Sequence, residues 1–271
     1  MPSPAEFLQT VKLPVMSEVA HLLIQTLNER EAGVKRVQDV IAKDPALTTT
    51  LLRMANSAMF GLSRSVHSLD HAISVVGMSQ IRARALSICL TDVFPVTSGL
   101  DRTEFWRSSL ACAAYAKYLA GTLAMDEQQA WLTGMMLRLG ELLIAQRDPG
   151  LIADCERLPH APGERWARQR ALLGFDECQV TSALAQRWDF PTEMVLALQA
   201  GGQPMAARPF SALGAVVHLA GLLADVPEVD ANTLEAWPAA VVAALRLEPS
   251  AALLAGLPCA ESFTELPHGR D

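Results

Sequence analysis

The side chains most able to do chemistry are scattered, and their spacing limits what they could do. His67 and His71 stand four apart with Asp70 between them, a spacing that could hold a zinc ion on one helical face. Ser68 reads as a helix N-cap, which leaves His67 outside the helix and off that face. Arg138 and Glu141 stand three apart, within reach of an internal ion pair, and Glu177 adds a carboxylate further along. His218 lies in an apolar run and reads as a hydrogen-bonded core histidine, while His21, His160 and His268 have no evident partner. No Gly-x-Ser-x-Gly elbow and no glycine-rich phosphate loop occur. The five cysteines (Cys89, Cys112, Cys155, Cys178 and Cys259) form no Cys-x-x-Cys pair and no Cys/His cluster at zinc spacing; they read as buried reduced thiols.

Composition narrows the classes further. Of 271 residues, 51% are hydrophobic, enough for a continuous core in one large domain or two lobes. No apolar run approaches the ~20 residues of a membrane span, and the N-terminus lacks the basic start and apolar stretch of a signal peptide. A cytoplasmic protein without membrane contact is the expectation. A net charge of −7 argues against nucleic acid, whose phosphates call for a basic stripe. The basic groups are small, and the set Arg165, Arg168 and Arg170 reads as a solvated face.

These residues must be positioned by helices. Helical periodicity runs almost throughout, and no period-two alternation is long enough for a strand, so the predicted class is all-α, a two-lobed helical bundle. Ser3-Pro4-Ala5-Glu6 is a capping box with proline in the first turn. Ser17 opens a helix with Val19, Leu23 and Leu27 on one stripe, and Asp44-Pro45 opens another that runs to about Asn56. Ser68 caps a helix ending near Gly77, and Ser79 caps the next. Long helices are expected over 101–124 and 126–146, and shorter ones over 150–158, 163–173, 176–189 and 192–200. An apolar helix from Phe210 to Ala224 precedes short Ala/Leu helices near 233–246 and 249–256. The five tryptophans lie among apolar neighbours, as packing anchors would. Pro95 and Ser98-Gly99 mark the best boundary, giving lobes at 1–97 and 98–225 and an extension at 226–271.

Asp44-Pro45-Ala46-Leu47, followed by Leu51-Leu52-Arg53-Met54-Ala55-Asn56-Ser57-Ala58 and Phe60-Gly61, resembles the HDOD (HD-related output domain) family. The likeness continues through Ser68-Leu69, Val76-Gly77, Phe105-Trp106, Gly134-Met135-Met136, Gly140-Glu141-Leu142, Gly174-Phe175-Asp176 and Trp188-Asp189-Phe190-Pro191, and covers roughly residues 10 to 225. The resemblance implies a helical relative of the HD metal-dependent phosphohydrolases. It further implies a non-catalytic module of bacterial signal transduction, here as a stand-alone copy with a degenerate HD-like C-terminal lobe.

An HD-type hydrolase holds divalent ions on His and Asp side chains, and the ion activates a water and clamps a phosphate. By the resemblance, the ligand positions fall on Ser108, Leu137-Arg138, Glu177, Gly201 in the Gly201-Gly202 turn, and Gly221. Glu141 stands where a lysine often follows. Leu137 has no lone pair to offer and Arg138 is a permanent cation; of these positions Glu177 alone could coordinate a metal. The expectation is therefore no catalytic residue, no metal and no cofactor. Several readings stay open. Arg138 pairs with Glu141, or Glu177 reaches Arg138, or Arg138 binds an anion, or all three face solvent. Arg53, Asn56, Ser57 and Phe60 are candidate partner or ligand contacts. Against that stands a structural reading, with Asn56 or Gly61 left-handed at a helix end and Ser57 bonded to backbone. The function expected is a regulatory module acting through protein–protein interaction, with a signalling partner and a small nucleotide as candidate effector. The alternatives are a divergent HD-type phosphohydrolase and a nucleotide second-messenger sensor.

Overall fold

The computed structural model describes residues 3–29, 32–57, 65–94, 100–156 and 161–259. The fold is all-α: 71% of the chain is helical, and the described residues contain no strand. The helices are α1 (Pro4–Leu8), α2 (Glu18–Asn28), α3 (Val34–Ile41), α4 (Pro45–Ala55), α5 (Leu69–Val76), α6 (Met78–Val93), α7 (Arg102–Thr122), α8 (Glu127–Met136) and α9 (Leu139–Arg147). They continue with α10 (Pro149–Glu156), α11 (Glu164–Leu173), α12 (Glu177–Arg187), α13 (Thr192–Ala200), a 3-10 turn (Pro204–Ala206), α14 (Ala212–Ala224), α15 (Ala231–Glu235), α16 (Ala239–Leu245) and α17 (Ala251–Ala255).

Local chemistry starts most of them. The Ser3/Glu6 capping box closes α1, and the side chains of Ser17, Asp44, Ser68, Asp101 and Asp126 each accept a first-turn N–H. Three expectations are corrected. α6 begins without Ser79 as its cap: it springs directly from Gly77, whose φ of 96° no L side chain holds comfortably. The helix expected over 233–246 is two, because Pro238 interrupts it. The helix expected over 126–146 is also two, α8 and α9, broken at Leu137-Arg138.

The chain divides into two compact units. One contains residues 14–94 together with Trp188–Pro191. Leu23, Ile24, Val37, Ile41, Leu51 and Leu86 fill its core. The short segment is fastened to it by Asn28, whose Nδ2 donates to the Asp189 carbonyl (2.7 Å), and by Phe94, which packs edge-on against Trp188. The other unit holds residues 3–13, 100–187 and 192–259. There α7 packs along α8 and α14, and α12 lies against α9, α13 and α1. This division differs from the contiguous one expected at 97/98, because α1 belongs with the later helices and Trp188–Pro191 with the earlier ones. The boundary residues Pro95, Ser98 and Gly99 lie outside the described residues. Among the described residues no single helix is long and apolar enough to cross a membrane; α5 and α6 reach that length only together, bent by 116°.

The α8/α9 break has a physical cause. Gly140 N–H donates to Thr181 Oγ1 on α12 (2.7 Å) rather than continuing the α8 ladder, and Glu141 N–H turns back to the Arg138 carbonyl (2.9 Å). α12 comes so close that a β-carbon on Gly140 would run into the Glu177 carbonyl. Gly140→Ala is therefore expected to destabilise the protein by about 3 kcal/mol or more, read as a lowered urea midpoint at unchanged m-value.

Candidate functional site

A dense buried polar cluster lies inside the later unit, where α11, α12, α14 and the α8/α9 break converge. Arg165 sits in the first turn of α11 and Glu177 opens α12. Asp176 and Gln179 fix that start reciprocally, Gln179 N–H donating to Asp176 Oδ1 (3.1 Å) and Asp176 N–H to Gln179 Oε1 (3.0 Å). Asp225 is the C-terminal cap residue of α14.

Arg165 Nε donates to Glu177 Oε1 (2.9 Å). Its Nη1 is in contact with Asp225 Oδ1. Trp166 Nε1 donates to the same Glu177 oxygen (3.0 Å), and Gln169 Nε2 donates to the other (2.7 Å). Gln169 Oε1 accepts from Glu177 N–H in return (2.8 Å), and Gly163 N–H donates to Asp225 Oδ2 (2.9 Å). The three ionic side chains are 1%, 0% and 3% exposed for Arg165, Glu177 and Asp225, so this is an interior ion-pair network.

Beside it, Arg138 Nε and Nη2 reach Glu141 Oε2 at 2.9 and 2.8 Å, and Nη1 donates to Ser108 Oγ (2.8 Å). The guanidinium also lies 5.6 Å from the Phe105 ring centroid. Leu137 is fully buried. A β-carbon on Gly201 would fall 2.6 Å from Leu137 Cδ1, and one on Gly221 would fall 3.2 Å from its Cδ2, so two glycines make room for one leucine. The Gly201 carbonyl faces His218 Nδ1 at 2.7 Å, and the imidazole lies against Trp166, 5.1 Å between centroids.

The electrostatics follow from burial and pairing. Burial opposes charge on Arg165, but the carboxylates of Asp225, Glu177 and Glu141 outweigh it and hold the guanidinium protonated. Burial would likewise raise Asp225; Arg165 and Arg138 more than offset it, so its carboxyl sits below the usual range. Asp176 goes the other way, raised by burial that Gln179 and Arg170 only partly counter. His218 is lowered by burial, against the Gly201 bond. Burial pushes the Cys112 thiol up to about 12, so no thiolate is on offer beside the cluster.

The predicted positions thus come together: Ser108, Leu137, Arg138, Glu141, Glu177, Gly201 and Gly221 all belong to this one region. Two readings are corrected. Arg138, Glu141 and Glu177 do not face solvent, and Glu177 is held by Arg165 rather than Arg138. Nor is Arg165 part of a solvated face; Arg168 and Arg170, on the outer side of α11, pair with Glu164 and Asp176. Sequence reading missed Arg165, Gln169 and Asp225. Its available signal was that Arg165-Trp166 and Gln169 share one face of α11, with Trp166 too large to leave exposed. Asp225 lies one turn beyond the expected Gly221.

A divalent ion does not fit this donor set. Both oxygens of Glu177 and both of Asp225 already accept internal N–H bonds, and the remaining positions offer a hydroxyl, an aliphatic chain, a guanidinium and two glycines. Among the described residues no three His, Cys, Asp or Glu side chains are grouped to hold a metal, at His67/His71 or elsewhere.

The other candidates fall in the earlier unit, apart from Phe60 and Gly61, which lie outside the described residues, as do His160 and His268. Asn56 is not left-handed (φ −88°). Its Nδ2 donates to the carbonyls of Leu52 (2.8 Å) and Val66 (2.7 Å), and its Oδ1 accepts from Val66 N–H (2.7 Å), fastening Val66 to the end of α4. Ser57 Oγ has no hydrogen-bond partner among the described residues, and Arg53 is exposed. Four of the cysteines are buried as expected, whereas Cys259 is exposed.

The interior cluster and the helices around it define an HD-like helical domain. The sequence matches the HDOD domain family over residues 13–204, and the chain belongs to that family. Among solved structures it is similar to a protein of Shewanella amazonensis SB2B that bears the provisional name phosphohydrolase: 28% identity, TM-score 0.75, 96% of this chain and 93% of that one. An HDOD domain protein of unknown function from Geobacter sulfurreducens shares the fold at 22% identity and TM-score 0.74, over 96% of this chain and 90% of that one. A provisionally named signal transduction protein of Marinobacter aquaeolei VT8 shares it at 22% identity and TM-score 0.76, over 94% and 59%. An uncharacterized protein of Treponema pallidum (strain Nichols) is 25% identical over 163 residues, which take in 58% of this chain and 31% of that relative.

Glu177→Ala would leave the buried Arg165 guanidinium with Asp225 alone and would strip Trp166 Nε1 and Gln169 Nε2 of their acceptor; it should cost about 3–5 kcal/mol in urea unfolding, with Glu177→Gln costing less because it keeps an acceptor. The titrations have a sign. His218 and Asp225 both have depressed folded-state pKa values, so their contributions are complete at high pH. His218's is lost as pH falls below about 6.5 and Asp225's as pH falls below about 4. Thermal midpoints should therefore decline in two stages on acidification, and His218→Gln should flatten the first.

Proposed function

We propose that this chain is a non-catalytic regulatory module of bacterial signal transduction, acting in the cytoplasm by contact with a protein partner, without nucleic acid or membrane. The observation that carries this reading is the saturation of Glu177 and Asp225 by internal donors. The side chains best able to hold a hydrolytic ion are committed to a guanidinium, an indole, a carboxamide and a backbone N–H. Membership of the HDOD family and the likeness to a provisionally named signal transduction protein agree with it.

Two other readings have specific support. The Shewanella relative, at 28% identity, bears the name of a phosphohydrolase. A cleft of about 240 Å³ lined by Asp176, Gln179, Gln199, Gln203 and Arg208 would seat a small polar effector such as a nucleotide. The deciding experiment combines metal analysis of the purified chain with turnover assays on cyclic dinucleotides and generic phosphoesters. We expect far less than one metal ion per chain and no turnover. Stoichiometric metal with turnover abolished by Glu177→Ala would overturn the reading. In a thermal-shift panel of nucleotides, a true effector at 100-fold its Kd would add about 2.7 kcal/mol of stability, whereas a purely protein-contacting module stays flat.

A further inference from the structure

In the cleft between α12, α13 and the 3-10 turn, the polar groups divide into spent and unspent. Asp176 is buried and spent: one carboxylate oxygen is paired with Arg170 and the other accepts Gln179 N–H. Gln179 Oε1 accepts Asp176 N–H, which fixes that carboxamide and leaves its Nε2 donors unspent. Arg208 Nη1 is tied back to the carbonyls of Met205 (2.9 Å) and Ala207 (2.8 Å). The carboxamides of Gln199 and Gln203 make no hydrogen bond among the described residues, and both line the cleft. Leu196, 42% exposed, and Pro209 supply apolar wall.

Those groups select a ligand by chemistry and by size. A carboxamide donates and accepts side by side, so it pairs with an edge of the same kind, as glutamine does with N6 and N7 of adenine. A phosphate is served less well: Arg170 is engaged by Asp176, Arg208 is partly tied back, and a carboxylate belongs to the lining. The volume of about 240 Å³, what roughly eight water molecules occupy in the liquid, suits a fused double ring. A cyclic dinucleotide is several times too large for it. We propose that this cleft binds a neutral purine base by its donor–acceptor edge, with Gln199 and Gln203 reading that edge and Leu196 lying against the ring face. The inference rests on the effector reading of the cleft and narrows it, since the base rather than a phosphate is what the protein recognises. It is independent of whether the domain is catalytic.

The test is isothermal titration calorimetry of the full-length chain at neutral pH. The probes are adenine, hypoxanthine, their edge-blocked forms N6,N6-dimethyladenine and 1-methylhypoxanthine, the nucleotides AMP and IMP, and inorganic phosphate. At least one of the two bases should bind at one per chain with a Kd of about 10 µM to 1 mM. Its methylated form should bind roughly tenfold more weakly or not at all, its nucleotide less than about tenfold more tightly, and phosphate not at all. Gln199→Ala and Gln203→Ala should each weaken the base about fivefold, and together abolish saturable binding. Both side chains are exposed, so the variants should melt within about 2 °C of the parent. If AMP or IMP binds where neither base does, or binds roughly tenfold or more tightly than its base, the effector reading stands and this inference falls. If neither bases nor nucleotides bind, both fall. Base binding that survives the double variant, or that is unchanged by methylation of the edge, would also overturn the inference.

Discussion

Charge sealed inside an apolar core has to be matched where it lies, and Arg165 is the point at which this chain meets that demand. Its guanidinium lies between Glu177 and Asp225, on helices α12 and α14, while Arg165 itself belongs to α11. Three helices separated by up to 60 residues are tied by one side chain. Each partner has further obligations: Glu177 holds Trp166 and Gln169, and Asp225 holds the turn at Gly163. Hydrophobic packing alone would allow these helices to slide by fractions of a turn, whereas a buried network with every member satisfied accepts one register.

The second constraint is steric. α9 can present Arg138 and Glu141 to the interior only because α8 stops at Met136 and the chain turns over Leu137 and Arg138. That turn depends on Gly140 lying flush against α12, and on Gly201 and Gly221 leaving room for Leu137. Those glycines therefore have a packing purpose: they seat Leu137 as an aliphatic plug flanked by the Arg138–Glu141 and Arg165–Glu177 ion pairs.

Fold and activity separate cleanly at such a site. The helical frame is common to this chain, to an HDOD domain protein of unknown function and to relatives provisionally named for hydrolysis and for signalling. Distinguishing those roles is a matter of which atoms face the interior. Here they are carboxylates already engaged by N–H donors, the observation on which the proposed regulatory role rests.

Caps, proline positions and apolar periodicity are written locally, and they suffice for the helical class, most helix starts and the burial of the tryptophans. The sequence also brought Ser108, Leu137, Arg138, Glu141, Glu177, Gly201 and Gly221 under one heading, through the motifs they occupy. It could not show that Arg165 belongs with them: in a run with Arg168 and Arg170 the residue has the look of an exposed basic face, and its partners are 12 and 60 residues away. Nor could it place the break at Leu137-Arg138, where local propensity favours one continuous helix. Those outcomes were decided by tertiary structure alone, since the energy of a buried charge and the approach of one helix to another depend on neighbours brought from elsewhere in the chain.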